Sequence, residues 1–99
     1  MTLLGTVTIL GDHPAVPGHF PGDPIVPGVL LLAEIFALLG AAHPGLKVER
    51  LLHAKFLHPV RPDETMAVMS RETPGGCVEF DGMVSDACAL RGAVRMAPA

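Results

Sequence analysis

Pro21, Pro24 and Pro27 recur every third residue and lead straight into an almost wholly apolar run, Val29 to Leu39, whose one charge is Glu34. Proline holds φ near about −65° and has no N–H to donate, so the loop carrying these prolines loses little entropy on folding. Pro27 suits the first helical position, where a missing N–H is no loss, and Gly28 then presents its own N–H at the positive end of the helix. His19 lies on the stiffened loop. A titratable imidazole and an amide donor are therefore expected at one helix start.

The run itself is apolar on every side, through Leu30, Leu31, Leu32, Ile35, Phe36, Leu38 and Leu39. That pattern predicts a helix from about Pro27 to Ala41 surrounded by protein and stopped at Pro44-Gly45. Residues 24 to 42 are nearly long enough for a membrane span, but Glu34 at mid-depth and the lack of basic flanks argue for a buried core helix.

Strand patterns flank the helix. Thr2 to Leu10 is rich in β-branched residues and ends at Gly11-Asp12. After the helix, Lys47 to His58 and Glu64 to Arg71 alternate, separated by Pro59, Pro62 and Asp63. The cleanest period of two puts Val78, Phe80, Gly82 and Val84 on one face and Cys77, Glu79, Asp81, Met83 and Ser85 on the other. A last strand sets Leu90, Val94 and Met96 opposite Arg91 and Arg95, which would place Cys77 and Cys88 on opposite faces, unpaired. One strand, one helix and four more strands make a single α+β domain over residues 1–99, an antiparallel sheet curled round its helix. A sheet of this size leaves an open edge and an incompletely covered helix, which predicts a symmetric dimer that extends the sheet.

Seven Lys and Arg against ten Asp and Glu argue against nucleic acid as a general ligand, and two cysteines form neither a zinc set nor a disulfide framework. A reducing cytoplasm fits, and no signal-peptide pattern opens the chain. His53 and His58 are expected on opposite strand faces, so no metal and no cofactor are predicted.

The stretch Gly18-His19-Phe20-Pro21-Gly22-Asp23-Pro24-Ile25-Val26-Pro27-Gly28-Val29-Leu30 resembles the active-site loop and helix start of the hotdog-fold 3-hydroxyacyl-[acyl carrier protein] dehydratases of fatty acid synthesis. Lys55-Phe56-Leu57-His58-Pro59-Val60-Arg61-Pro62 is similar to the same family's strand and turn after the helix, and Asp12-His13-Pro14 resembles the shorter dehydratases of the aryl-polyene type. The resemblance implies that His19 exchanges the C2 proton of a 3-hydroxyacyl thioester while the Gly28 N–H polarises its carbonyl. It further implies elimination of water to a trans-2-enoyl thioester, acyl carrier protein as partner, and a cytoplasmic homodimer or larger assembly. Phe20, Pro27, Leu31 and Ile35 are the expected substrate-binding residues, with Leu32 and Phe36 as further tunnel or core candidates.

One family feature is missing. The helix acid expected fourteen residues after the histidine is Ala33 here, and the glutamine often found four further on is Ala37. Glu34 is the nearest substitute for the acid, yet neighbouring helix positions differ by about 100°, so it projects from a different face. Glu34 is either the replacement acid or a solvent- or seam-facing residue, and Asp23 and His13 have structural readings beside their proximity to the loop. Two other functions stand beside the dehydratase: a catalytically lapsed hotdog module binding an acyl carrier or pairing with an active subunit, and an acyl thioesterase. Arg50, Lys55, Arg61, Arg91 and Arg95 are candidates for docking the acidic carrier.

Overall fold

The structure, a computed structural model, describes residues 1–13 and 25–99. His19, Phe20 and Asp23 lie outside that range. Six elements run in chain order: β1 (Thr2–Thr8), α1 (Gly28–Ala42), β2 (Leu46–Phe56), β3 (Thr65–Thr73), β4 (Cys77–Val84) and β5 (Ala87–Pro98). The strands form one antiparallel sheet in the order β1-β3-β4-β5-β2, leaving β1 and β2 at the edges.

Alternation builds the core. Val7, Met66, Val68, Val78, Phe80, Leu90, Val94 and Met96 turn inward from the strands and meet Leu31, Ile35 and Leu39 of α1. The i, i+4, i+8 spacing of those three makes a single buried stripe along the helix. Close seating requires glycine: a Cβ on Gly5 would lie 2.8 Å from a Leu38 methyl, and one on Gly92 would lie 2.4 Å from the His53 carbonyl oxygen. A helix lying against one face of a curved antiparallel sheet is the hotdog arrangement.

Three expectations need correction. The helix is not enclosed all round, because Val29 is 78 % exposed and Ala33, Ala37 and Ala41 also face out. Uniform apolarity gave no phase, and the sheet buries only the Leu31 stripe. Pro27 is the residue before the helix, with φ −58° and ψ 137°, and Gly28 is the first helical residue. Cys88 shares the outer face with Cys77: the β4–β5 ladder shifts register at Gly82/Met83, pairing Cys88 with Met83, and the Cys88 sulfur lies 3.6 Å from an Arg91 nitrogen. The two thiols remain free, at opposite ends of the ladder.

Two backbone ties fix the ends of the segment around α1. The N–H of Asp63 donates to Ile9 O at 2.7 Å and its carboxylate accepts the Gly11 N–H at 3.1 Å, with Asp63 at φ 70°. Val26 N–H donates to Val60 O at 2.8 Å, which anchors the lead into α1 on the chain after β2.

Candidate functional site

A groove of about 480 Å³ opens where α1 begins. One wall is Ile25, Val26, Gly28, Val29, Leu31 and Leu32, and the other is Phe56, Leu57, His58, Pro59 and Val60. The second wall is pinned from behind, since Leu57 N–H and His58 N–H both donate to Ala89 O, at 2.8 and 3.1 Å. The Phe56 ring lies directly on Gly28, where an added Cβ would sit 2.7 Å from Cζ. Glycine at that position lets an aromatic ring and the helix start close on each other.

The floor of the groove is chemically simple. The N–H of Gly28 has no intrahelical acceptor by its position, no side chain among the described residues caps α1, and no acidic residue stands in its first turn. Partial positive charge is therefore concentrated there, suited to a carbonyl oxygen on which negative charge develops. His58 is the one ionisable side chain among the described residues of the lining.

Glu34 does not line this groove. It borders a separate cavity of about 520 Å³ with Thr6, Thr8, Asp12 and His13, between α1 and the end of β1. Helical phase explains it: burial of Leu31 and Ile35 turns residue 34 toward β1, the side on which Leu38 meets Gly5. Among the other expected site residues, Gly28 and Leu31 line the groove, Pro27 borders the helix start, and Ile35 is fully buried in the core behind it. Phe56 and His58 were not singled out as site residues, although both lie in the quoted stretch from Lys55 to Pro62 at the end of β2. The described residues include no group of three His, Cys, Asp or Glu placed to hold a metal, and no described helix is long and apolar enough to cross a membrane.

The outer sheet face carries opposite charges side by side. Arg71 meets Glu79 at 2.7 Å, and that carboxylate raises the guanidinium above its ordinary pKa. Arg91 is raised chiefly by the Cys88 sulfur and then by Asp81, whose oxygen is 3.7 Å away.

A model of the family described as ApeI-like, ApeI dehydratase, matches residues 2–90. The chain belongs to that family. It is 34 % identical over 71 residues to the 3-hydroxyacyl-[acyl-carrier-protein] dehydratase FabZ of Thermomicrobium roseum, covering 64 % of this chain and 48 % of that protein. It is likewise 34 % identical over 79 residues to FabZ of Protochlamydia amoebophila, covering 69 % and 51 %. The matched stretch thus spans about half the length of these curated relatives. Among solved structures, the dehydratase heterocomplex ApeI:P from Xenorhabdus doucetiae superposes with TM-score 0.77 at 20 % identity over 92 % of this chain and 82 % of that one. An uncharacterized protein from Erwinia carotovora subsp. atroseptica superposes with TM-score 0.70 at 22 % identity, covering 94 % and 80 %. Both likenesses establish the hotdog fold of this ApeI-like chain.

Proposed function

We propose that this ApeI-like chain is a hydro-lyase that removes water from the 3-hydroxyacyl thioester of an acyl carrier protein. The observation that carries the reading is the apolar groove opening on the uncapped amide of Gly28 in a chain matched to the ApeI-like family along nearly its whole length. The thioester carbonyl accepts from the Gly28 N–H. His19 takes the C2 proton, the electron pair forms the C2=C3 bond, and the C3 hydroxyl departs as water after receiving a proton from an acid. Leu31, Leu32 and Phe56 flank the acyl chain, Phe20 and Pro27 border the thioester, and Ile35 supports the wall from the core.

The acid is Glu34. In this reading Glu34, which borders its own cavity within one chain, serves the groove of a neighbouring subunit. Pairing through β2 is supported by Leu46, Leu51, Leu52 and Phe56, which that edge strand exposes. The partner there is a second copy, and the place of work is the cytoplasm, where acyl carriers are loaded.

A second reading has its own support. Ala33 stands at the family's acid position, and the ApeI relative of known structure is part of a heterocomplex. In that reading an unlike hotdog subunit supplies the acid. The test is a purified chain mixed with 3-hydroxyacyl carrier protein, followed by ultraviolet absorbance of the conjugated enoyl thioester and by a free-thiol assay. Enoyl product lost in His19→Ala supports the dehydratase. Product that appears only after adding an unlike hotdog subunit supports the second reading, and free thiol without enoyl product refutes both.

A further inference from the structure

The chain before and the chain after the segment bearing His19 are tied to one short turn. Past the end of β1, Asp63 N–H donates to Ile9 O at 2.7 Å and the Asp63 carboxylate accepts the Gly11 N–H at 3.1 Å. Ahead of α1, Val26 N–H donates to Val60 O at 2.8 Å. Val60 and Asp63 are three residues apart in sequence, so their Cα atoms are separated by at most about 11 Å. The chain between Gly11 and Val26, with His19 inside it, is therefore held at both ends by the stretch from Val60 to Glu64. That stretch continues directly from the groove wall, Phe56 to Val60.

The turn is itself braced. Arg61 N–H donates to a Glu64 carboxylate oxygen at 2.7 Å, and Glu64 N–H donates to Arg61 O at 3.2 Å. Of the two ties, the one at Val26 is also fixed by burial of Val26 and Val60, whereas Gly11 and Asp63 are exposed and joined by a polar contact. The backbone of Asp63 has a φ of 70°, a left-handed conformation that is unfavourable for a residue with a Cβ and open to glycine. Glycine would serve this turn and keep the N–H bond to Ile9, so what aspartate adds is the carboxylate. Its fit to Gly11 is close, since Oδ1 accepts the N–H and a Cβ on Gly11 would lie 3.1 Å from Oδ2. A strained backbone kept for one side-chain hydrogen bond marks a place where position matters.

We infer that Asp63 is a positioning residue for His19: its carboxylate fixes the root of the segment that carries the imidazole against the turn that carries the groove wall. The role rests on the dehydratase reading above; the tie to Gly11 does not. Asp63 is not part of the groove wall, and its action on the reaction is geometric. A misplacement of about 1 Å at a catalytic group can cost about 10²-fold in rate, while the walls that bind the acyl chain stay where they are.

The experiment compares the full wild-type chain with Asp63→Gly, which accepts φ 70° and loses the acceptor, and with Asp63→Asn, which keeps a side-chain oxygen. The substrate is a 3-hydroxyacyl thioester of acyl carrier protein, at a temperature where circular dichroism shows all three folded. Asp63→Gly should lower kcat about tenfold with KM changed less than about threefold, and Asp63→Asn should recover most of the wild-type kcat. The acid limb of the kcat/KM profile against pH should stay in place in both variants, as expected of an effect on position. Hydrogen exchange at the Gly11 amide, followed by NMR, needs no turnover: it should quicken about tenfold in Asp63→Gly and hold near the wild-type rate in Asp63→Asn. Wild-type kcat in Asp63→Gly overturns the proposal and leaves the dehydratase reading standing. Equal losses in the two variants, or a shifted acid limb in Asp63→Asn, also overturn it, because charge and not position would then be at work. So does a loss of kcat in Asp63→Gly with Gly11 exchange unchanged. A wild-type chain that gives no enoyl product removes the dehydratase reading and the positioning role with it, while Gly11 exchange that follows the acceptor leaves the tie in place.

Discussion

Gly92→Ala offers the sharpest test of how the sheet closes over its core. Gly92 sits inward on β5 between Ala54 of β2 and Phe80 of β4. A Cβ there would lie 2.4 Å from the His53 carbonyl oxygen, 2.8 Å from Phe80 Cζ and 3.2 Å from the Ala54 Cα. Two of those atoms are backbone, and Phe80 is fully buried, so no side chain can swing aside to make room. Relief requires β2 to move off β5, and β2, an edge strand, has no second strand neighbour among the described residues. Overpacking costs about 1–3 kcal/mol, and each ladder hydrogen bond lost in the displacement about 1 kcal/mol more, giving about 3 kcal/mol. A chain of 99 residues has roughly 5–15 kcal/mol in all. The melting temperature should therefore fall by about 12–24 °C, followed by circular dichroism with urea titration in parallel. Gly40→Ala is the matched control, since nothing lies within 4 Å of its added Cβ inside α1, and it should gain about 0.5–1 kcal/mol. A loss below about 1 kcal/mol for Gly92→Ala would refute the claim that backbone contact holds β2 at this distance.

Gly28→Ala must displace the Phe56 ring, which is already 52 % exposed, so stability should change by less than about 1 kcal/mol while kcat/KM for a 3-hydroxyacyl thioester falls about tenfold or more. Thermal melting beside steady-state kinetics separates the two effects. His19→Ala should lower kcat by about 10²–10⁴, and Glu34→Gln by a similar factor with partial recovery in Glu34→Asp; unchanged turnover in Glu34→Gln would remove it as the acid. Asp63→Ala places a Cβ-bearing residue with no acceptor at φ 70° and breaks the tie to Gly11, costing about 1–2 kcal/mol in urea unfolding, whereas Asp63→Asn should stay within about 0.5 kcal/mol.

The elements and their order were legible because punctuation and period agree: prolines before Gly28, Pro44-Gly45 after the helix, and strict alternation from Val78 to Val84. The amide at Gly28 could be foreseen for the same reason, since proline and glycine act on the backbone locally. The phase of α1 could not, because a helix apolar all round does not say which stripe meets the sheet. That choice decides whether Glu34 faces the groove or β1, and it depends on Leu31, Ile35 and Leu39 together with the space left at Gly5. Register was hidden for a related reason. The shifts at Glu49 and Leu52 break period two without any glycine or proline to mark them, and the one at Ala89, beside Gly82 on β4, carried Cys88 to the face opposite the one its spacing implied.

Strand β2 sets eleven residues, Leu46–Phe56, against nine on β5, Leu90–Pro98. Removing Glu49 or Leu52 alone would restore regular pairing without changing where any other side chain points, while removing Val48 or Leu51 would draw a bulge residue into the vacated place. Chain-length variation among relatives should therefore concentrate at two positions of this edge, where a residue can be gained or lost without the molecule turning itself inside out.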